Sequence, residues 1–364
     1  MPRRPSKRAA RTPDAPAPAA ALPATAARAR SGTVTLGDVA KLAGVSPITV
    51  SRVVNRPELV TPTTRQRVQG VIARTGYLPN LLAGGLRSAR SRVVAAIVST
   101  VSHSIFVDTI QALTDRLAEA DYQVLLGLTG YPSARHDHLL RALLSRRPDA
   151  VFLIGITRAP ERRQRFLAAG VPIVETWDYT PTPMDMLVGF SHAAVGRAVA
   201  AHFVQRGYRR IAVVSADDER STVRRESFVA ELAARGVSPV RGHVVPAPST
   251  FRAGRQALAR LLASGPVPGA VFCSSDTLAH GVLVEAAARG IAVPRDLAVM
   301  GFGDLDFAAA TVPSLSTVRI DRAGIGRQAA EMLLARMAGA TPARAVVDVG
   351  FELVERESTS VAAG

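Results

Sequence analysis

Arginines and acids at helical spacing carry the most specific chemistry in this sequence. Asp217-Asp218-Glu219-Arg220-Ser221-Thr222-Val223-Arg224 follows the apolar run Ile211–Ser215. If a helix starts near Glu219, Arg220 and Arg224 lie four apart on one face. They would also sit at the helix end whose dipole favours anions. Solvated arginines pairing with Asp218 or Glu226 are the plainer alternative. Glu175 and Asp178, at the end of the run Pro172–Glu175 and just beyond it, could accept hydrogen bonds from ligand hydroxyls. Asp276 opens an apolar-periodic stretch at 276–289, where it is either a helix N-cap or a ligand contact. Near the other end of the chain, Arg52 stands on a short polar-faced helix. A guanidinium there can make a bidentate contact to guanine, worth about 1–3 kcal/mol of discrimination; a phosphate contact is the alternative.

Patterns that would announce an enzyme are weaker. Gly324-Ile325-Gly326-Arg327-Gln328-Ala329 matches the GxGxxA dinucleotide fingerprint, but it starts four residues past its strand, inside the helix opened by Asp321. Close helix packing explains it. His136-Asp137-His138 lacks acidic or cysteine partners at metal spacing. The single Cys273 excludes an intramolecular disulfide and any cysteine cluster. With no Walker lysine, no GxSxG and no paired catalytic set, no enzyme, cofactor or metal site is expected.

The element that positions Arg52 is Thr35–Arg56, TLGDVAKLAGVSPITVSRVVNR. Leu36–Leu42 read as a helix with Val39 and Leu42 on one face. Gly44 suits the left-handed position that ends it. Ser46 caps a second helix and Pro47 fits its first position. Val50, Val53 and Val54 then face inward, leaving Ile48, Thr49, Ser51, Arg52 and Asn55 outward. That is a helix-turn-helix, whose second helix docks in a DNA major groove. Ile48 and Thr49 suit thymine-methyl or mixed contacts, whereas Thr35, Ser46, Ser51 and Asn55 suit the backbone. A third helix follows Thr61-Pro62 and runs to about Thr75.

The charge supports this placement. Of the net +16, residues 1–32 carry +6 and residues 33–90 another +6, so basicity collects at the end that would meet phosphates. The first 32 residues are Ala/Pro-rich without a compact apolar core, which reads as a basic flexible tail rather than a signal peptide. No apolar run reaches 18 residues, so no membrane span and a cytoplasmic location are expected. Residues 81–91 have helical spacing but include Gly84-Gly85, which would cost about 1 kcal/mol per glycine relative to alanine, so they read as a plain linker or as a helix that forms only when bound. From Val93 onward, short Val/Ile-rich runs alternate with helical stretches in the βαβ rhythm of parallel sheets. About ten strands suggest two doubly wound lobes, with ligands at the carboxyl ends of strands.

The stretches VTLGDVAKLAGVSPITVSRVVN, GYLPN, RGYRRIAVVS, VFCSSDTLAHGV and VMGF followed by PSLSTVRID resemble the lac repressor (LacI) family of transcriptional regulators. Within it, PIVETWDYTPTPMDMLVGFSHAAVGR and DERSTVRR look most like repressors of gluconate utilisation. The fold so implied is α/β: an all-α helix-turn-helix head at 33–79, a hinge at 80–91 and a two-lobed periplasmic-binding-protein-like core at 92–358. Its lobes would be about 92–190 with 320–340, and 191–319 with 341–358. The resemblance also implies a homodimer on palindromic operator DNA, with Asn80 and the wedge residue Leu86 at the minor groove. Effector-facing positions would be Phe106, Glu175, Asp178, Arg220, Arg224, Phe251, Asp276 and Arg322. Three arginines toward one cleft would hold a carboxylate, so a sugar acid is expected, with a phosphorylated or neutral sugar as the alternative. Gly303, followed by Asp304 and Asp306, replaces the acid that many relatives carry. The C-terminus lacks leucine heptads, so the tetramerising coiled coil of some relatives is not expected.

Overall fold

A computed structural model describes residues 34–78, 90–101, 104–130 and 136–360. The basic tail at 1–32 and hinge residues 80–89, including Asn80 and Leu86, lie outside the described residues. The chain divides into two compact units, Met1–Gly84 and Gly85–Gly364.

In the first unit, α1 (Leu36–Ala43) starts with a reciprocal cap. Thr35 Oγ1 accepts from Asp38 N–H, and the Asp38 carboxylate accepts from Thr35 N–H at 2.9 Å. Gly44 at φ +65 ends the helix, as a residue without Cβ can. Ser46 caps α2 (Pro47–Asn55) by accepting from Thr49 N–H at 3.2 Å. α3 (Pro62–Thr75) has Thr61 before it, but that hydroxyl makes no cap bond and instead donates to Thr64. The core holds Val39, Ala40, Ala43, Val50, Val53, Val68, Val71 and Tyr77. Leu42 does not join it: at 63% exposure it points outward. In a helix of eight residues crossed by two others, the small Ala40 and Ala43 take the inward positions instead.

The second unit contains two parallel sheets. The first has the order β11-β5-β4-β3-β1-β2, from β1 (Val93–Val98), β2 (Gln123–Leu128), β3 (Ala150–Ile154), β4 (Ile173–Thr176), β5 (Met186–Gly189) and β11 (Val346–Asp348). The second runs β7-β6-β8-β9, from β6 (Ile211–Ala216), β7 (Arg241–Val245), β8 (Ala270–Cys273) and β9 (Ala298–Met300). An antiparallel ribbon, β10 (Thr317–Arg319) with β12 (Glu352–Val354), lies where the chain passes between the lobes. Strands β3, β6 and β8 are continuous apolar runs because helices cover both faces. The helices are α4 (Val107–Ala118), α5 (His136–Leu144), α6 (Pro160–Ala168), α7 (His192–Gln205), α8 (Glu219–Ala234), α9 (Phe251–Ala263), α10 (Asp276–Ala288) and α11 (Arg322–Met337).

Two corrections to the expected layout follow. The lobe boundary shifts, because β11 pairs with β5 and so places 346–348 in the first lobe rather than the second. β7, β11 and β12 give no sequence signal, being edge or three-residue strands with polar positions facing out. The GxGxxA match lies inside α11. A Cβ on Gly326 would come 2.2 Å from the Thr109 carbonyl oxygen, so that glycine serves the close packing of α11 on α4.

Candidate functional site

On the head, the outward face of α2 separates into engaged and free side chains. Thr35 and Ser46 are spent on helix caps. Thr49 shares its hydroxyl with Ser46 at 2.9 Å, and Asn55 Nδ2 donates to the Ser51 carbonyl at 2.9 Å. Pro47 only opens the helix. Ile48 and Arg52 remain exposed, and Arg52 makes no ion pair or hydrogen bond among the described residues. This is a rigid polar helix with one apolar and one guanidinium probe, the geometry that direct base reading uses.

In the core, a cavity of about 470 Å³ opens at the carboxyl ends of β1 and β3. The first lobe contributes Val98, Ser99, Ile154–Thr157 and Asp178; the second contributes Asp217–Arg220 at the start of α8. Asp178 accepts from Tyr179 N–H at 2.8 Å, and Arg158 stands 3.5 Å away. Burial raises the Asp178 pKa above its ordinary value. Arg158 also pairs with Glu219 at 2.5 Å, joining a first-lobe loop to the first turn of α8. Arg220 lines the cavity, with its guanidinium 5.3 Å from the ring centroid of the buried Phe106. Phe106 is thus the seat of Arg220 rather than a free wall.

Arg224 lies one helical turn deeper, 4% exposed. Its Nη1 lies 2.8 Å from His192 Nδ1, and Nη2 donates to Ser221 Oγ at 3.1 Å and to the Ser274 carbonyl at 2.9 Å. The guanidinium stacks 3.9 Å from the Phe302 ring centroid, and its buried Nε has no partner. No described carboxylate forms an ion pair with it. Burial brings its pKa down to about 10. Asp218, the α8 N-cap, is pushed up by burial, but Arg224 and the Ser221 hydrogen bonds outweigh this and lower its pKa.

Four expected contacts are placed elsewhere. Glu175 is fully buried within β4, and its two carboxylate oxygens accept from Thr157 N–H and Met184 N–H at 2.9 Å each. It clips two loops to β4 and has no face toward the cavity. Asp276 is not the cap of α10; Ser275 is. The Asp276 carboxylate is buried, accepts from Thr317 Oγ1 and from Leu305 N–H at 2.8 Å, and is driven by burial to a pKa of about 6. Phe251 is half exposed, edge-on to His280 and Phe307, and does not line the cavity. Arg322 pairs with Asp108 at 2.7 Å and donates to the carbonyls of Gly303 and Asp304. It fastens α11 to the loop after β9 and does not line the cavity, whose arginines are Arg162 and Arg220, with Arg224 buried behind Arg220. Asp304 is held by Arg319 and Arg356, leaving nothing there for a ligand hydroxyl.

The residues missed from sequence are the partners of Arg224. Ser221 shares α8 with Arg224, three residues before it, but His192 on α7 and Ser274 after β8 come from separate elements, and nothing in their local spacing marks them.

Residues 35–80 match the family described as bacterial regulatory proteins, lacI family, and residues 200–359 match a periplasmic binding protein-like domain. The chain is 38% identical to the HTH-type transcriptional regulator GntR of Pseudomonas aeruginosa over 90% of its own length and 96% of that protein. A crystal structure of a LacI-family transcriptional regulator from Silicibacter pomeroyi superposes with a TM-score of 0.85 at 30% identity, covering 90% of this chain and all of that one. The transcription regulator GntR from Chromobacterium violaceum superposes at 0.70 with 35% identity, covering 73% of this chain and 99% of that one.

Proposed function

The chain belongs to the LacI family of bacterial regulatory proteins, and from that premise we propose a homodimeric operator-binding repressor whose DNA affinity is set by a sugar acid, gluconate or a close aldonate. One observation carries the acid. Arg224 is a buried guanidinium whose three partners are all neutral and whose Nε has none. Asp218 and Asp178 act on it only at a distance, with no ion pair; burying a cation with no directly bonded counter-ion is costly, and a ligand carboxylate entering past Arg220 offsets that cost by charge-assisted bonds. Asp178 then serves the hydroxyl chain. The lining sets four carboxylates, Asp178, Asp217, Asp218 and Glu219, against Arg162 and Arg220, with Arg158 pairing Asp178 and Glu219; that balance favours one anionic end over two, and so an aldonate over its phosphate ester. The similarity of the 172–197 stretch to gluconate-utilisation repressors points the same way.

The homodimer is supported by apolar side chains left outside each lobe: Leu126 and Leu128 on the edge strand β2, and Phe251, Val284 and Val312 on the second lobe. A C2 dimer would present two heads to a palindrome. Effector and operator are then linked through the lobes, and each must change the other's affinity by the same factor.

The test has two steps. A palindromic duplex selected from a random pool is bound by the full chain, and anisotropy is followed as gluconate, 6-phosphogluconate or glucose is added. We expect gluconate to shift operator affinity and glucose not to. Glucose acting as well as gluconate would overturn the acid, and the absence of any selected palindrome would overturn the dimeric repressor.

A further inference from the structure

We propose that His192 is the positioning residue for acid recognition: through Nδ1 it holds the Arg224 guanidinium in place without neutralising it. This rests on the sugar-acid reading above. His192 is the first residue of α7, where the chain enters the second lobe, and it is 2% exposed. Its Nε2 lies 2.9 Å from the Trp177 carbonyl oxygen. A carbonyl only accepts, so Nε2 carries the proton and Nδ1 is a lone pair. That lone pair takes the hydrogen bond from Arg224 Nη1 at 2.8 Å. The tautomer is therefore fixed by geometry. Burial, with Arg224 and Arg220 alongside, holds the imidazole pKa well below its ordinary value.

The line of bonds continues into the first lobe. Trp177 Nε1 donates to Thr109 Oγ1 at 3.1 Å, and Thr109 Oγ1 donates to the Arg322 carbonyl at 2.8 Å. His192 thus ties a cation on the second lobe to a carbonyl on the first. The chemical point is the neutrality of the acceptor. A carboxylate at this position would orient Arg224 equally well but would also satisfy its charge, leaving no attraction for a ligand acid. An imidazole lone pair orients the group and leaves the charge for the effector.

Three substitutions separate this role from packing. In His192→Asn the amide oxygen stands near Nδ1 and can still accept from Arg224. In His192→Gln the amide reaches Nε2 and can still donate to Trp177, but Arg224 loses its acceptor. In His192→Asp Arg224 gains a counter-ion. Binding of gluconate and of glucitol, its neutral relative, is measured by calorimetry. Trp177, the only tryptophan of the chain, gives a fluorescence signal beside the site.

We expect His192→Asn to bind gluconate close to wild type. His192→Gln and His192→Asp should lose about ten- to hundredfold. His192→Asp binding gluconate as wild type, or His192→Asn losing as much as His192→Gln, would overturn the proposal. If wild type binds no gluconate, the acid reading falls, and guanidinium NMR decides the inference by itself. Slowly exchanging Arg224 N–H signals present in wild type and His192→Asn but lost in His192→Gln support it; signals unchanged in His192→Gln overturn it.

Discussion

Arg322 Nη2 lies 2.7 Å from Asp108 Oδ2, and the same guanidinium donates to the carbonyls of Gly303 and Asp304. One side chain therefore holds the start of α11, the start of α4 and the loop after β9. This loop belongs to the second lobe, whereas α4 and α11 pack with the first. Arg322 is a clasp across the lobes rather than a ligand contact.

Arg322→Ala should accordingly lower core stability by about 1.5–3 kcal/mol, the scale of hydrogen bonds to a charged group. Gluconate affinity should change much less than it does in Arg224→Ala. Urea unfolding with calorimetry on both variants checks this; an Arg322→Ala protein of full stability that has lost gluconate would restore it to the ligand site.

Arg52→Ala should keep the head folded, because the side chain is exposed and the core of Val39, Val50, Val53 and Val68 is untouched. Selectivity for operator over random duplex should fall by about 1–3 kcal/mol. An unchanged ratio of the two affinities would make Arg52 a phosphate contact.

The elements were legible where local chemistry and tertiary packing agree. Ser46-Pro47 and Gly44 announce the ends of the head helices because caps and left-handed turns need those residue types. The covered strands β3, β6 and β8 announce themselves by apolar runs. Arg220 was legible as a cavity residue because helix spacing and dipole are local properties. Arg322 was not, since an N-terminal arginine on a helix reads the same whether it meets a ligand or Asp108, far away in sequence. Glu175 misled for the same reason: a carboxylate at a strand end looks available until two loop N–H groups are found on it. Leu42 shows the converse, an apolar residue at helical spacing that packing left outside.

Asp276 gives the pH dependence. Burial raises its pKa from 3.8 to about 6, so the folded state binds the proton more tightly than the unfolded state. The associated stability is fully present below about pH 4 and is lost as pH rises through about 6, amounting to about 3 kcal/mol at 1.36 kcal/mol per unit. The difference in unfolding free energy between wild type and Asp276→Asn should therefore shrink between pH 4 and 7. A difference that stays flat between pH 5 and 7 would mean that the carboxylate is already ionised in the folded state over that range.

Arg224→Lys carries the last prediction, because it keeps a cation while changing its proton affinity. The site lowers the arginine from 12.5 to about 10, chiefly by burial. At that value the guanidinium stays charged across pH 6–9, so wild-type gluconate affinity should be flat over the range. A lysine starts near 10.4, and a similar penalty would bring it to about 8. The ligand carboxylate needs the charged form. Affinity of the lysine variant should therefore be weaker than wild type at pH 6, since three fixed donor bonds become fewer. It should then fall further as pH rises past 8, by up to about tenfold per unit. Calorimetry at pH 6, 7, 8 and 9 on both proteins reads this directly. A flat profile for Arg224→Lys would place the ligand carboxylate away from residue 224, on Arg220 at the exposed side of the cavity.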